Sequence, residues 1–256
     1  MKKRALAVAV LSALALVSCD VDVKNPVVTV NDSESLTVDT GSVTELKIGH
    51  NVGSISLSYG EGEKAEIQVN YRYQGFSQKV VDEIGEHIAC KAETEDDKLV
   101  ISIIDKESGK LFSYWKNNNS KASEVTVDLD VKLPKKFDKF DVASDVGSIT
   151  ADSLTGTFDV RCDVGNIEMT SVELLGDSEI VSDVGDISLG INKVGECEVK
   201  LSSDVGNISI DTGTLKYESD DEGSKPVGAK KEIVIDGKCN MKLECDVGEV
   251  TIGQEE

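Results

Sequence analysis

SDVGDISLGI, residues 182–191, is the stretch that decides the fold, because close copies of it recur along the chain. The copies are SDVGSITADS at 144–153, CDVGNIEMTS at 162–171, SDVGNISIDT at 203–212 and CDVGEVTIGQ at 245–254, with a more distant one, HNVGSISLSY, at 50–59. Recurrence of one short unit at a near-constant period is typical of repeat architectures, in which each unit packs against its neighbours.

The spacing of the motif predicts the number of units. The glycines of the five clear copies are 18, 20, 21 and 42 residues apart, and we interpret the last interval as two periods. The segment that begins at Gly213 is similar to the one that begins at Gly156, and it supplies the missing unit, with an insertion at roughly 221–231. We therefore expect six coils of about 20 residues in the repeat region.

Within a unit the side chains alternate as they do in a β-strand with one buried face. The predicted inward positions are the small residue three before each glycine, the valine directly before it, and the aliphatic residue two after it. They comprise Ser144, Cys162, Ser182, Ser203 and Cys245; Val146, Val164, Val184, Val205 and Val247; and Ile149, Ile167, Ile187, Ile208 and Val250.

Such a unit is too short to enclose a core alone, but stacked copies place like side chains over like, about 4.8 Å apart. The predicted fold is all-β: a single-chain parallel β-helix, right-handed by the usual bias of parallel crossovers. An antiparallel sandwich or barrel is the alternative fold, although it would not require the same side chain at the same place in every unit.

An aspartate precedes each Val-Gly corner. We expect its carboxylate to accept a hydrogen bond from the backbone of the turn, and the glycine to take a positive φ. These structural corners are Asp145 with Gly147, Asp163 with Gly165, Asp183 with Gly185, Asp204 with Gly206, and Asp246 with Gly248. A calcium ladder is the alternative role for this acidic column, but the glycine-rich nine-residue calcium repeat is absent. We expect neither a metal nor a cofactor.

The beginning of the chain has the features of a bacterial lipoprotein precursor. Three basic residues precede an apolar stretch, and residues 1–18 are predicted to be the signal peptide, cleaved before Cys19. Cys19 would then carry acyl chains such as palmitate and hold the protein on a membrane. We expect a tether at 19–35, a coil and strand region at 36–134, and the repeat β-helix at 135–256.

Five cysteines remain after Cys19. Cys162 and Cys245 fill small inward positions, and Cys90 lies outside the repeat. Cys197 and Cys239 share one coil position but are two coils apart in the predicted register, about 10 Å, which is too far for a disulfide. All five are therefore predicted to be free thiols.

The region before the repeat combines strands with one helix. Alternation predicts strands at 65–73, 99–104 and 125–133, and helical spacing of apolar residues predicts a helix at 77–91 that caps or flanks the stack. His87 and Cys90 would share a face of that helix, and His50 would take the small inward position of an early coil.

The candidate binding residues are Phe112, Tyr114 and Trp115, which lie in a polar loop at 105–124 with the only tryptophan. The competing interpretation is that these aromatics pack over the end of the stack. No known catalytic motif is present. A polysaccharide-acting enzyme remains an alternative, because β-helices can present carboxylate grooves, but aromatic residues make up only 4% of the chain.

From residue 36 to 252 the pattern resembles the bacterial "putative adhesin" domain family: an alternating strand region, a junction at Val131-Lys132-Leu133-Pro134, and then recurring Gly-polar-Ile units. The resemblance implies a surface-exposed, non-enzymatic envelope protein without catalytic residues. The net charge of −21 argues against a nucleic-acid partner. We therefore expect a non-enzymatic lipoprotein of the bacterial cell envelope that acts as an adhesin or scaffold, or alternatively as a glycan- or protein-binding module in envelope sensing.

Overall fold

The computed structural model describes residues 7–8, 28–119, 124–221 and 228–253. This part of the chain is all-β, with twenty strands and two short helices. The strands are β1 (Ala7–Val8), β2 (Val28–Asp39), β3 (Glu45–Val52), β4 (Ile55–Tyr59), β5 (Lys64–Gly75), β6 (Ile88–Glu95), β7 (Lys98–Asp105), β8 (Glu124–Leu133), β9 (Lys139–Val146), β10 (Ile149–Asp152), β11 (Thr155–Val164), β12 (Ile167–Leu174), β13 (Ser178–Val184), β14 (Ile187–Val194), β15 (Cys197–Val205), β16 (Ile208–Asp211), β17 (Tyr217–Asp221), β18 (Ala229–Ile235), β19 (Cys239–Val247) and β20 (Val250–Gly253). The helices are α1 (Gln78–His87) and α2 (Phe112–Asn119).

Two ladders of parallel strands form the centre of the molecule. The first ladder contains β3, β9, β11, β13, β15 and β19, and the second contains β4, β10, β12, β14, β16 and β20. The chain passes from a strand of the first ladder, through a corner glycine, into a strand of the second. We call each such strand, corner and strand a repeat unit. There are six of them in the described residues.

Antiparallel strands flank the parallel ladders. On the second ladder, β8 runs parallel to β4, and β5 and β2 follow as antiparallel neighbours. On the first ladder, β7 runs parallel to β3, and β6 pairs with β7 in antiparallel orientation. At the far end of this ladder, β18 pairs antiparallel with β19, and β17 pairs antiparallel with β18. β1 adds two antiparallel pairs to β2. Such flanking strands occupy ladder edges that could otherwise pair with other chains.

The core lies between the two ladders and follows the predicted alternation over most of its length. The register places Ile149 beside Ile167 and Ile167 beside Ile187, all of them buried, and the phenyl rings of Phe140 and Phe158 stack with centroids 5.0 Å apart. Apolar burial of this kind supplies most of the stabilisation of a repeat fold, because each unit covers the next.

The valines before the corner glycines contradict this prediction. They are 44–49% exposed rather than inward: Val146, Val164, Val184, Val205 and Val247. The reason is local, since the chain turns at the Asp-Val pair and both side chains lie on the outside of the bend. Strict alternation therefore ends two residues before each glycine.

The coil predicted to begin at Gly213 is also wrong, so the repeat region contains five units, and the sixth unit is the earlier one formed by β3 and β4. After Gly213 the chain forms an antiparallel hairpin, β17 with β18, on the outer side of β19. β15 therefore pairs directly with β19, which places Cys197 opposite Cys239 with a Cα–Cα distance of 4.7 Å. These two cysteines form a disulfide, so the prediction of five free thiols fails. Cys90, Cys162 and Cys245 are free and buried.

Both helices differ from expectation. Ser77 caps α1 and accepts a hydrogen bond from the Val80 backbone N–H, but the helix ends at His87, because Ile88 is extended and begins a strand paired with β7. The predicted helix at 77–91 is thus too long, and Cys90 lies on β6 rather than on a helix face with His87. Part of the predicted loop at 105–124 is helical instead, as α2.

The predicted cleavage and lipidation concern residues 1–19, of which the structure describes only 7–8. Cys19 lies outside the described residues. The expected tether at 19–35 overlaps β2, which begins at Val28 and pairs with β5 along its whole length. Among the described residues, no helix has the length and apolar character needed to cross a membrane.

Candidate functional site

The corners of the repeat units are built around glycines that no other residue could replace without distortion. At Gly185 φ is +151°, and a Cβ would lie 2.0 Å from the carbonyl oxygen of Gly165, the equivalent corner in the preceding unit. The Gly185 N–H donates to the carbonyl of Val205 in the following unit, at 2.8 Å. The other corner glycines share this geometry, so consecutive corners lie directly above one another.

Stacked corners produce one continuous edge, which we call the corner edge. It carries a valine column and an acidic column. The valine column consists of half-buried Val52 followed by the exposed Val146, Val164, Val184, Val205 and Val247, and the exposed acidic column consists of Asp145, Asp163, Asp183, Asp204 and Asp246. Register pairs join the valines one to the next along the stack. Six valines at the usual strand spacing extend over about 24 Å.

The aspartates do not make the predicted hydrogen bonds. Within the described residues, the acidic column shows no bond from a backbone N–H, and only Asp145 has a side-chain donor, the amide of Asn51 at 2.7 Å. In three units, the residue after the glycine (Asn166, Asp186 or Asn207) accepts a bond from the next unit instead. Asp186 Oδ1 accepts from the backbone N–H of Asn207 at 2.8 Å, and Asn207 Oδ1 accepts from that of Glu249 at 3.0 Å. The acidic column is therefore not needed to hold the turn.

Charges elsewhere on the first ladder are paired. Lys47 contacts Asp141 at 2.7 Å, and Lys200 contacts Glu179 at 2.9 Å. Lys200 and the guanidinium of Arg161 lower the pKa of Glu179. In the part of the chain that the structure describes, no member of the acidic column forms an ion pair, so its charge is available to a partner.

The three candidate aromatics, which lie on α2 rather than in the predicted loop, do not form a single exposed patch. Phe112 is buried, and Trp115 is partly buried with its ring stacked on Phe112 at 5.3 Å and on His87 at 4.4 Å between centroids. Tyr114 is 64% exposed. Phe112 and Trp115 thus have the contacts of a packed cap, and Tyr114 is the one aromatic of the three that is mostly exposed.

His87, the last residue of α1, contacts the buried Asp105 at the start of an exposed turn. Its Nδ1 lies 2.7 Å from Asp105 Oδ1, and Asp105 also accepts from the Ser108 backbone N–H at 3.0 Å and from the Ser108 hydroxyl. The Ser108 hydroxyl bond first, and then the His87 contact, hold the pKa of Asp105 well below its usual range. Because Ser108 bonds the carboxylate rather than the imidazole, the three groups fix the turn and do not make an activated nucleophile.

The free cysteines are placed for packing rather than for reaction. Burial raises the pKa of the Cys90 thiol to about 12, and its backbone N–H donates to the Tyr71 hydroxyl at 2.7 Å. Cys162 and Cys245 each donate from Sγ to the corner carbonyl of the preceding unit. Among the described residues, no group of three or more His, Cys, Asp or Glu side chains is arranged to hold a metal ion.

Comparison with known proteins gives two solved structures of interest. The first is a "putative cell adhesion protein" from Clostridium sporogenes, with 14% identity and a TM-score of 0.40, covering 88% of this chain and 100% of the other. The second is a "putative adhesin" from Bacteroides fragilis, with 11% identity and a TM-score of 0.29, covering 87% and 97%. At these values neither likeness bears on function. No protein-family model and no curated protein matches the chain.

Proposed function

We propose that this chain is a non-enzymatic, lipid-anchored protein of the bacterial cell envelope, and that it uses the corner edge as an attachment surface. In this proposal the two ladders wind as a right-handed parallel β-helix. The helix acts as a rigid support that displays the edge along its length.

The observation that carries this function is the identity of the exposed corner residues in successive units. Core packing does not restrict the residue type at an exposed position of a repeat. The register position two residues before the aspartate does vary between units, and it holds Ala143, Arg161, Val181 and Ser202. The exposed Asp-Val pair, in contrast, is the same in five units. Neither core packing nor turn hydrogen bonding accounts for the aspartate.

The chemistry of the edge indicates the kind of partner. An apolar column beside an unpaired acidic column is complementary to a protein segment that combines aliphatic and basic side chains. The valines would supply apolar contact area, and the carboxylates would attract lysine or arginine. The five carboxylates lie in one column rather than converging in a cleft, which gives no support to the polysaccharide-acting alternative.

Two features support a location outside the cytoplasm. The sequence predicts an export signal that ends at Cys19, and the disulfide between Cys197 and Cys239 is of the kind that persists in oxidising compartments. Lipidation at Cys19 is part of the proposal. Cys19→Ala should leave the protein unprocessed or release it from membranes, and unchanged mass and membrane partition would contradict the lipid anchor.

Site-specific photocrosslinking in intact cells tests the attachment surface. A benzophenone amino acid at Val184 should give an adduct with a protein that carries a basic, aliphatic segment, whereas the same probe at Ser188, exposed on the second ladder of the same unit, should not. The adduct should weaken in high salt and in an Asp183→Asn, Asp204→Asn double variant. Equal labelling from both positions, or an adduct indifferent to salt and to both aspartates, would refute the assignment.

A further inference from the structure

A cavity of about 230 Å³ lies where α2 approaches the first repeat unit, away from the middle of the corner edge. Residues from β3, β7, β8, β9 and α2 line it, so several separate parts of the chain converge on one space. The lining residues that matter for its chemistry are His50, Ile103, Phe112, Lys116, Val125 and Asp145.

The imidazole of His50 is the unusual member of this wall. It is 5% exposed, and neither ring nitrogen has a hydrogen-bond partner among the described residues. At the same position, the hydroxyls of Ser182 and Ser203 each donate to a corner carbonyl at 3.0 Å, whereas the buried hydroxyl of Ser144, directly beside His50 in the register, also has no partner among the described residues. A buried polar group without a protein partner calls for a partner from elsewhere, and for His50 the cavity is the available space.

The surroundings of His50 favour the neutral imidazole. Burial lowers the pKa of His50, and this effect outweighs the opposing influence of the Val127 backbone and of the carboxylates of Asp128 and Asp145. Lys116 is the cation that lines the same space. A neutral imidazole offers one N–H donor and one acceptor nitrogen, which suits a hydroxyl, amide or amino group.

The rest of the lining divides into an apolar part and a charged part. Ile103, Phe112 and Val125 are buried and give the cavity an apolar side. Lys116 and Asp145 bring opposite charges to it, and Lys116 makes no ion pair within the described chain. The volume is below the range of about 300 to 1,000 Å³ that is usual for drug-sized ligands, so the occupant should be small.

We propose that this cavity binds a small zwitterion with an apolar body, namely an α-amino acid with an aliphatic or aromatic side chain. Its carboxylate would face Lys116, its ammonium group would face Asp145, and its side chain would lie against Phe112. His50 would complete the hydrogen bonding of the polar head. The cavity shares Val52 and Asp145 with the end of the corner edge. The attachment test uses Val184, Asp183 and Asp204, none of which lines the cavity, so either proposal can fail without the other.

Calorimetric titration of the purified full-length chain tests the proposal with three matched probes. L-leucine should bind, whereas 4-methylpentanoate lacks the ammonium group and 3-methylbutylamine lacks the carboxylate. Each loses one charge-assisted contact, so each should bind about tenfold or more weakly. Lys116→Gln should weaken the binding of leucine and 4-methylpentanoate and leave that of 3-methylbutylamine unchanged. Asp145→Asn should weaken the binding of leucine and 3-methylbutylamine and leave that of 4-methylpentanoate unchanged.

His50→Ser provides the control for folding, because serine is the residue that Ser182 and Ser203 place at the equivalent position. The variant should melt at or above the wild-type temperature and lose leucine binding. Equal leucine binding in wild type and His50→Ser would overturn the proposal. So would the absence of binding by any apolar amino acid in the wild type, or a crystal structure with leucine in which only water lies beside His50.

Discussion

Removing the disulfide between Cys197 and Cys239 should have a large and specific effect on stability. The bond joins residues 42 positions apart. It links β15 to β19, which are neighbours in the first ladder although the β17–β18 hairpin lies between them in the sequence. For a closed loop of that length the chain-entropy relation gives a stabilisation of about 4 kcal/mol. We therefore expect the Cys197→Ala, Cys239→Ala double variant to lose about 4 kcal/mol of unfolding free energy.

Urea unfolding measures this loss. With a slope of about 2 kcal/mol per M, the midpoint should fall by about 2 M, and reduction of the wild type should reproduce the shift. Cys245→Ser is the matched control, because it removes a buried thiol that forms no bridge and introduces the residue that Ser203 places in the neighbouring unit. The control should lose less than about 1.5 kcal/mol.

Two results would refute this reasoning. One is an equal loss of stability in the double variant and in Cys245→Ser, which would attribute the effect to packing alone. The other is alkylation of Cys197 and Cys239 in the denatured but unreduced protein, which would show that the bond is absent.

Three further changes test the corners and the region of α2. Gly185→Ala should cost about 3 kcal/mol or more, because it combines a strained φ with a backbone clash, whereas Gly190→Ala, whose Cβ would have ordinary contacts, should change the melting temperature little. The pKa of Asp105 is lowered in the folded state, so its contribution to stability should be complete above about pH 4 and should be lost as the pH falls toward the folded pKa. Asp105→Asn should therefore be less stable than the wild type at pH 7. Its melting temperature should also fall less steeply as the pH is lowered. Trp115→Ala should lose about 3 kcal/mol in urea unfolding, and Tyr114→Ala should be close to wild type, since only the first ring is packed; the reverse order would contradict the cap.

The features that the sequence predicted correctly depend on local alternation. The all-β class, the strands of the N-terminal region and the buried column from Ile149 to Val250 follow from side-chain parity, which a strand displays in its own sequence. His50 was also placed correctly at an inward position. The exposed valines were missed because parity breaks where the chain bends, and no change in residue type marks that bend.

The features that were missed depend on strand direction and on contacts between distant segments. The hairpin after Gly213 alternates in the same way as a parallel unit, so periodicity alone could not show that β18 runs antiparallel to β19. The disulfide was missed for the same reason, because an extra coil between Cys197 and Cys239 made the predicted distance between them too long for a bond. The cavity beside His50 could not be foreseen either, since it needs α2 to approach β3 from 60 or more residues away in sequence.

The repeated corner contact also bears on how such a chain can change its length over evolution. Each corner glycine meets the glycine before it in the same way, from Gly147 to Gly248, so every junction between units is interchangeable with every other. Duplicating one segment of about 20 residues would therefore create no junction that the molecule does not already contain, and would lengthen the stack by about 4.8 Å. The height of the molecule can thus grow by tandem duplication in the gene, while both flanking antiparallel regions remain as they are.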